Sequence, residues 1–174
     1  RESILAELEL HFVPMLNPDG AERFQRRTAQ GIDMNRDAVA LQCPESRILK
    51  SLVLDLKPEF SFNLHDQAIY YAVGESPVQA AVAFLATAYN KETDWNEVRT
   101  KSMQVICEMN QELQTVIPDR IGRFSDEFEP RAFGDNIQKW GSSLILVESG
   151  SYPDDTEKQY VRALNFHAIL SGLH

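Results

Sequence analysis

The sequence predicts an α/β fold in three layers, with helices on both faces of a mixed, mostly parallel sheet. The first observation is the apolar run at residues 144–147, Leu-Ile-Leu-Val, which is typical of a strand buried on both faces. The second is helical spacing of apolar residues in other segments, and the third is the alternation of strand-like with helix-like segments along the chain. In such sheets, ligands bind beyond the carboxyl ends of the strands.

Composition limits the domain count and the possible partners. The 174 residues suffice for one domain with a substantial core, which we expect to span residues 1–174. Seventeen basic against 26 acidic residues give a net charge of -9, which disfavours nucleic acid and anionic membranes as partners. No apolar stretch approaches the ~20 residues of a membrane helix. We expect the two cysteines, Cys43 and Cys107, to be buried thiols rather than a disulfide.

The first third of the chain predicts two regular elements and a long loop. Residues 1–8 lack an initiator Met and resemble the end of a helix, so we expect an N-terminal segment to be missing. Residues 8–15 are predicted as a strand that ends at a Pro-containing turn, residues 17–20. After a loop to about residue 38, Pro44 opens a predicted helix that ends at Lys57-Pro58.

In the rest of the chain, the sequence predicts further strands and helices. Strands are expected at residues 59–65, 68–73 and 144–147, and helices at residues 77–90, 94–117 and 154–172. Asp94 and Glu97 resemble a capping box for the second of these helices. Residues 119–141 are polar and without a clear period, and are predicted as a long surface loop with at most short pieces of structure. This arrangement puts His65 and Glu148 at the carboxyl ends of two strands.

Two sets of residues are candidates for chemistry. A carboxylate directly after four aliphatic residues, as at Glu148, carries a desolvation cost that a structural role seldom requires, although it could simply reach water. A lone histidine such as His65 is more often structural than a ligand. In the loop, Asn35-Arg36 suits the gripping of a chain-terminal carboxylate, while Arg26 lies in a separate basic cluster; solvated surface residues are the alternative.

These residues together resemble the M14 family of zinc carboxypeptidases. The motifs that carry the resemblance occur in the family's order: Asn17-Pro18-Asp19-Gly20, Arg26, Asp33-Met34-Asn35-Arg36-Asp37, Leu64-His65 and Val147-Glu148. The resemblance implies a phosphorylase/hydrolase-like fold of the zinc exopeptidase type, with Zn²⁺ as cofactor. It also implies roles for single residues: His65 as a zinc ligand, Arg26 polarising the scissile carbonyl, Asn35 and Arg36 binding the substrate's terminal carboxylate, and Glu148 as general base.

The chain departs from the family at one essential point. The family's other two zinc ligands come from an HxxE motif upstream of the NPDG strand, and no HxxE occurs in these 174 residues. We therefore expect the C-terminal part of a catalytic domain, truncated at its N-terminus, that is inactive alone. Asp37 also stands where digestive members carry Asn, and His65 is followed by Asp66 rather than Ser.

Three alternatives remain open. An amidohydrolase of the same superfamily, resembling the succinylglutamate desuccinylase and aspartoacylase group, would cleave N-acyl amino acids. A non-catalytic domain would bind peptide C-termini without a metal. An ordinary α/β domain would have no site at all. In the first two cases, as in the carboxypeptidase, the partner is a peptide or acyl amino acid with a free carboxylate.

Overall fold

A four-stranded sheet forms the centre of the computed structural model, which describes residues 4–174. Its strands are β1 (Phe60–Asp66), β2 (Val82–Ala86), β3 (Ile121–Arg123) and β4 (Ser143–Ser149), in the spatial order β1-β4-β2-β3. The β1–β4 and β2–β3 pairs are parallel, whereas β2 and β4 are antiparallel. The prediction of an α/β fold with a mixed, mostly parallel sheet is confirmed.

Six helices and one 3-10 turn accompany the sheet in the described part of the chain. The helices are α1 (Ile4–Glu7), α2 (Pro18–Glu22), α3 (Pro44–Leu56), α4 (Glu97–Gln114), α5 (Phe133–Lys139) and α6 (Gln159–Gly172), and the turn is Met34–Arg36. Pro44 begins α3 without needing an N–H partner, and Lys57 ends it in the left-handed conformation. None of the helices within residues 4–174 combines the length and apolarity that crossing a membrane requires.

The core lies in two clusters that share β4. Ile145 and Val147 of β4 belong to a cluster with apolar residues of α4 and α6. Leu144 and Leu146 belong to the other, with residues of α5 and, at its margin, of α3. Because alternate residues of a strand point to opposite faces, β4 is buried on both faces, as its apolar run predicted.

The edge strand β1 is more exposed than the inner strand β2. β1 pairs on one side only among residues 4–174, and its Leu64 side chain is 60% exposed. β2, between β4 and β3, is buried throughout. The other outer strand, β3, has only three residues, of which Ile121 is buried, so β1 is the longer exposed edge of the sheet.

Several predicted elements are confirmed with adjusted ends. The helix opened by Pro44, the strands at 59–65 and 144–147 and the helices at 94–117 and 154–172 correspond to α3, β1, β4, α4 and α6. The capping box is wrong, because Asn96 caps α4 by accepting a hydrogen bond from the Arg99 backbone N–H at 2.8 Å. Neither cysteine forms a disulfide, but only Cys43 is buried, and Cys107 is exposed on α4.

The helix predicted at residues 77–90 is wrong, because this segment contains β2. Its alanines favoured a helix by propensity. In the structure, Val82 and its neighbours are buried on both faces and pair with β4, and small side chains suit that crowded position. Tertiary pairing thus outweighs local preference here.

Two predicted strands do not form. Residues 8–15 are irregular, with Phe12 80% and Met15 60% exposed, and no strand within residues 4–174 pairs with them. Residues 68–73 contribute a single bridge, between Ala72 and Gln79. An isolated run of strand-forming residues does not become a strand without a pairing partner.

The surface position predicted for residues 119–141 is wrong, although the prediction allowed for short pieces of structure. This segment contains β3 and α5, and residues 133–138 of α5 are buried. The helix is short and buries polar residues such as Asp135 and Asn136, which hid its period from sequence reasoning.

Replacing Leu113 by Ala tests the α4 core. Leu113 is completely buried, so we expect Leu113→Ala to lower the free energy of unfolding by about 2–5 kcal/mol. Leu54→Ala on α3, where the side chain is 45% exposed, is the control and should cost much less. Urea unfolding of both variants measures the difference, and equal losses would contradict this packing.

Candidate active site

The parallel pairing of β1 with β4 brings His65 and Glu148 side by side. They are register partners on strands that lie about 4.8 Å apart. Alternation along β4 puts Glu148 on the same face as Leu144 and Leu146, the face covered by α5. Both predicted strand-end residues therefore occupy one face of the sheet at one edge.

Glu148 is a buried carboxylate whose pKa lies near neutrality. It is only 7% exposed. Burial raises its pKa to about 7, the charge of Asp66 contributes to the rise, and the charge of Arg26 opposes it. At neutral pH the group is thus present in both protonated and ionised forms, which suits a residue that accepts and returns a proton.

His65 is held in its neutral form. Burial lowers its pKa, and the positive charges of Arg26 and Arg36 lower it further. Neutral imidazole is the form that binds metal ions. The charges of both arginines therefore act on His65.

The turn at residues 17–20 fixes the backbone of Arg26. Asn17 caps α2 by accepting from the Gly20 N–H at 3.0 Å, and its amide nitrogen donates to the Arg26 carbonyl at 3.2 Å. A Cβ on Gly20 would lie 2.3 Å from that amide nitrogen, so only glycine fits. The Arg26 side chain donates from Nε to Asp33 Oδ2 at 2.8 Å.

The 3-10 turn that carries Asn35 and Arg36 is bracketed by two aspartates. Asp33 accepts from the Asn35 N–H at 3.1 Å. Asp37 is fully buried and accepts from the backbone N–H groups of Gln42 and Cys43, both at 2.9 Å. Burial would raise the pKa of Asp37, but these hydrogen bonds outweigh burial and the pKa is lowered. Asp37 thereby ties the turn to the start of α3.

Residues 129–133, which we call the docking segment, hold the other side of this turn. The Phe133 N–H donates to Asn35 Oδ1 at 2.9 Å, and the Ala38 N–H donates to the Arg131 carbonyl at 3.1 Å. Glu129 forms an ion pair with Arg36, Oε2 to Nε, at 3.0 Å. Sequence reasoning missed this segment because a polar, aperiodic stretch carries no signal of such contacts.

A polar cavity of about 280 Å³ lies beside the strand ends. Asp66 and Ser149, which directly follow His65 and Glu148, line it together with Asn165 and Lys158 of the α6 region. The Lys158 ammonium pairs with the Asp66 carboxylate. This ion pair engages Asp66, one of the positions at which the sequence departs from the family.

The described residues do not by themselves make a metal site. Among residues 4–174, no group of three His, Cys, Asp or Glu side chains could hold an ion. His65 offers one suitable donor, since it is neutral and half-buried. A complete zinc site needs ligands beyond those described here.

The chain is similar to proteins named as carboxypeptidases. It is 30% identical over 93 residues to carboxypeptidase 2 of Trichophyton tonsurans, covering 52% of this chain and 17% of that protein. It is 29% identical over 154 residues to the probable carboxypeptidase 2 of Trichophyton verrucosum, covering 85% of this chain and 25% of that protein. Carboxypeptidase SOL1 of Arabidopsis thaliana is 28% identical over 115 residues, 23% of its length.

These matches support a carboxypeptidase-like family at a distance. No family model matches the chain. The aligned part amounts to between 17% and 25% of these three relatives' own length, so the similarity concerns one portion of each.

Asp135 provides a pH test of the packing around the docking segment. It is 8% exposed, and burial raises its pKa from 3.8 to about 6. A raised folded-state pKa gives stability that is complete below 3.8 and is lost as pH rises through about 6. Asp135→Asn removes this titration, so we expect the variant to gain stability relative to the parent, on the order of 1–3 kcal/mol, between pH 4 and pH 8.

Melting temperatures of the parent and Asp135→Asn across this pH range measure the effect. Exposed Asp55→Asn on α3 is the control. A stability difference between Asp135→Asn and the parent that does not change with pH would contradict a buried, titrating Asp135.

Proposed function

We propose that the chain is part of a metallocarboxypeptidase that hydrolyses the C-terminal peptide bond of peptides. The observation that carries the proposal is the pairing of His65 with Glu148 at one sheet edge. The charge of Arg26 acts on both groups, and that of Arg36 acts on His65. Similarity to proteins named carboxypeptidases supports the same reaction class.

Asn35 and Arg36 are the proposed binding site for the substrate's terminal carboxylate. Arg36 uses Nε for Glu129 and one Nη1 hydrogen for the Asn35 carbonyl, at 2.7 Å. A guanidinium has five N–H donors, so those that remain can bind a carboxylate. Asn35 uses Oδ1 for Phe133, which leaves its amide N–H groups as further donors.

Glu148 and Arg26 are the proposed catalytic residues. Glu148 accepts a proton from the attacking water and passes it to the departing amine, which a pKa of about 7 permits in both directions. Arg26 lies close enough to lower the pKa of Glu148, and its guanidinium would stabilise negative charge on the carbonyl oxygen.

Zinc is the proposed cofactor, with His65 as one ligand and the others outside the described residues. When bound, zinc supplies Lewis-acid polarisation. In this proposal residues 1–174 form one domain, the C-terminal part of a catalytic domain with the three-layer α/β/α arrangement of zinc exopeptidases. The packing of alternate β4 residues against different helices supports that arrangement.

A second candidate is a domain that binds peptide C-termini without cleaving them. The absence of a three-ligand group within residues 4–174 favours it. It would keep the roles of Asn35 and Arg36 and give none to Glu148.

Zinc stoichiometry with C-terminal trimming of a mixed peptide pool distinguishes the two candidates. The natural full-length protein and the 174-residue chain are compared after dialysis against zinc, and a set of N-acyl amino acids is tested alongside. We expect the full-length protein alone to bind one zinc and to trim peptides. Binding of free C-termini without zinc or trimming would establish the binding domain instead, and cleavage of acyl amino acids alone would indicate an amidohydrolase.

Glu148→Gln in the full-length protein tests the proposed general base. We expect turnover to fall at least ~100-fold, because the amide cannot accept the proton, while zinc content stays near that of the parent. Exposed Glu108→Gln on α4 is the matched control and should keep full activity. Loss of zinc together with activity would make Glu148 a metal ligand or a structural residue rather than a base.

A further inference from the structure

Glu129 joins two arginines through one carboxylate. Arg131 donates to it from three groups, its backbone N–H at 3.1 Å and its Nε and Nη2 both at 3.0 Å. Arg36 contacts the same carboxylate through Nε at 3.0 Å. Hydrogen bonds from Arg131, with the charge of Arg36, lower the pKa of Glu129 to about 2, so the carboxylate is ionised at physiological pH.

These contacts constrain the direction of the Arg36 guanidinium. Nε is held by Glu129 and Nη1 by the Asn35 carbonyl, so two points on the planar group are fixed. Nη2 and the second hydrogen of Nη1 are left for a further acceptor. A long arginine side chain loses considerable rotamer freedom on binding, and fixing it in advance removes part of that cost.

We propose that Glu129 is a positioning residue for substrate binding, which holds Arg36 so that its Nη edge faces the substrate carboxylate. Arg131 anchors Glu129 in turn. This inference rests on the proposed function, because it assigns the device that orients the proposed carboxylate-binding arginine.

A competing role for Glu129 is self-inhibition, in which its carboxylate occupies the place of the substrate's. Its anchoring argues against that role. Arg131 holds both carboxylate oxygens, and the docking segment is fixed to the turn by the Phe133–Asn35 and Arg131–Ala38 hydrogen bonds. Because Arg131 and Arg36 both hold the Glu129 carboxylate, we expect it to keep its position when substrate binds. The two roles predict opposite changes in substrate affinity.

The test uses Glu129→Ala, Glu129→Gln and Arg131→Ala in the full-length protein. Kinetics are measured on a peptide with a free C-terminus and on the same peptide with a C-terminal amide. Calorimetry measures binding of N-acetyl-L-leucine and of its amide, which requires no turnover. Arg123→Ala is the matched control. Exposed Arg123 pairs with Asp126, which also pairs with Arg99, so the same arginine–carboxylate–arginine arrangement occurs there away from the proposed site.

We expect Glu129→Ala to raise KM for the free peptide about tenfold with kcat within about twofold, and to weaken N-acetyl-L-leucine binding equally. Glu129→Gln keeps an acceptor for Nε and should recover part of the loss, and Arg131→Ala should show a smaller loss. The amide ligands and the Arg123→Ala protein should be unaffected. In the Arg36→Ala background, Glu129→Ala should add almost nothing, because it acts through Arg36.

Tighter binding in Glu129→Ala would establish self-inhibition and overturn the proposal. So would an unchanged KM, or equal losses in the presence and absence of Arg36. If the parent protein binds N-acetyl-L-leucine but does not cleave peptides, the proposed function fails while the binding series still tests Glu129. If the parent cannot distinguish the acid from its amide, both proposals fail.

Discussion

The parallel pairing of β1 with β4 is the interaction on which the candidate site depends. β4 is buried on both faces and its ladder with β1 extends over all seven residues of each strand, so the register cannot slip without moving apolar side chains into water. That register alone makes His65 and Glu148 neighbours, although 82 positions of sequence separate them. The same core that gives stability therefore sets the electrostatic surroundings of Glu148.

A second layer of constraint comes from residues that never reach the strand ends. Asn17, Asp33 and Asp37 hold the backbone of the arginine-bearing loop through hydrogen bonds of 2.9 to 3.2 Å. The docking segment, which leads into α5, contacts the same loop from the other side. Charged groups on an irregular loop are thus held by many local contacts, which is how a loop can orient polar groups without being a helix or a strand.

How far the sequence predicted the structure depends on how local each determinant is. β4, α3 and α4 carry uninterrupted apolar runs or helical periods, and all were predicted. β2 was predicted as a helix because alanine-rich segments favour helices unless a neighbouring strand imposes pairing. That strand is distant in sequence, since the paired residues Phe84 and Val147 are 63 positions apart. The candidate site residues were selected from the sequence by a family resemblance and, for two of them, by their position at a predicted strand end. The structure brings together the elements that carry these residues, which are His65, Glu148, Arg26, Asn35 and Arg36. Sequence reasoning did not select Glu129, Arg131 or Lys158, because their roles depend on contacts with residues distant in sequence.

The exposed edge of the sheet at β1 affects the tendency of the chain to associate in solution. Within residues 4–174 this strand pairs on one side only, and it exposes Leu64 beside a row of backbone donors and acceptors. Such an edge can template the strand of another molecule. We therefore expect the colloidal stability of the isolated chain to be limited by edge-to-edge association, despite the solubility that a net charge of -9 favours. Covering the β1 edge, rather than adding surface charge, is the change that would improve colloidal stability at high protein concentration.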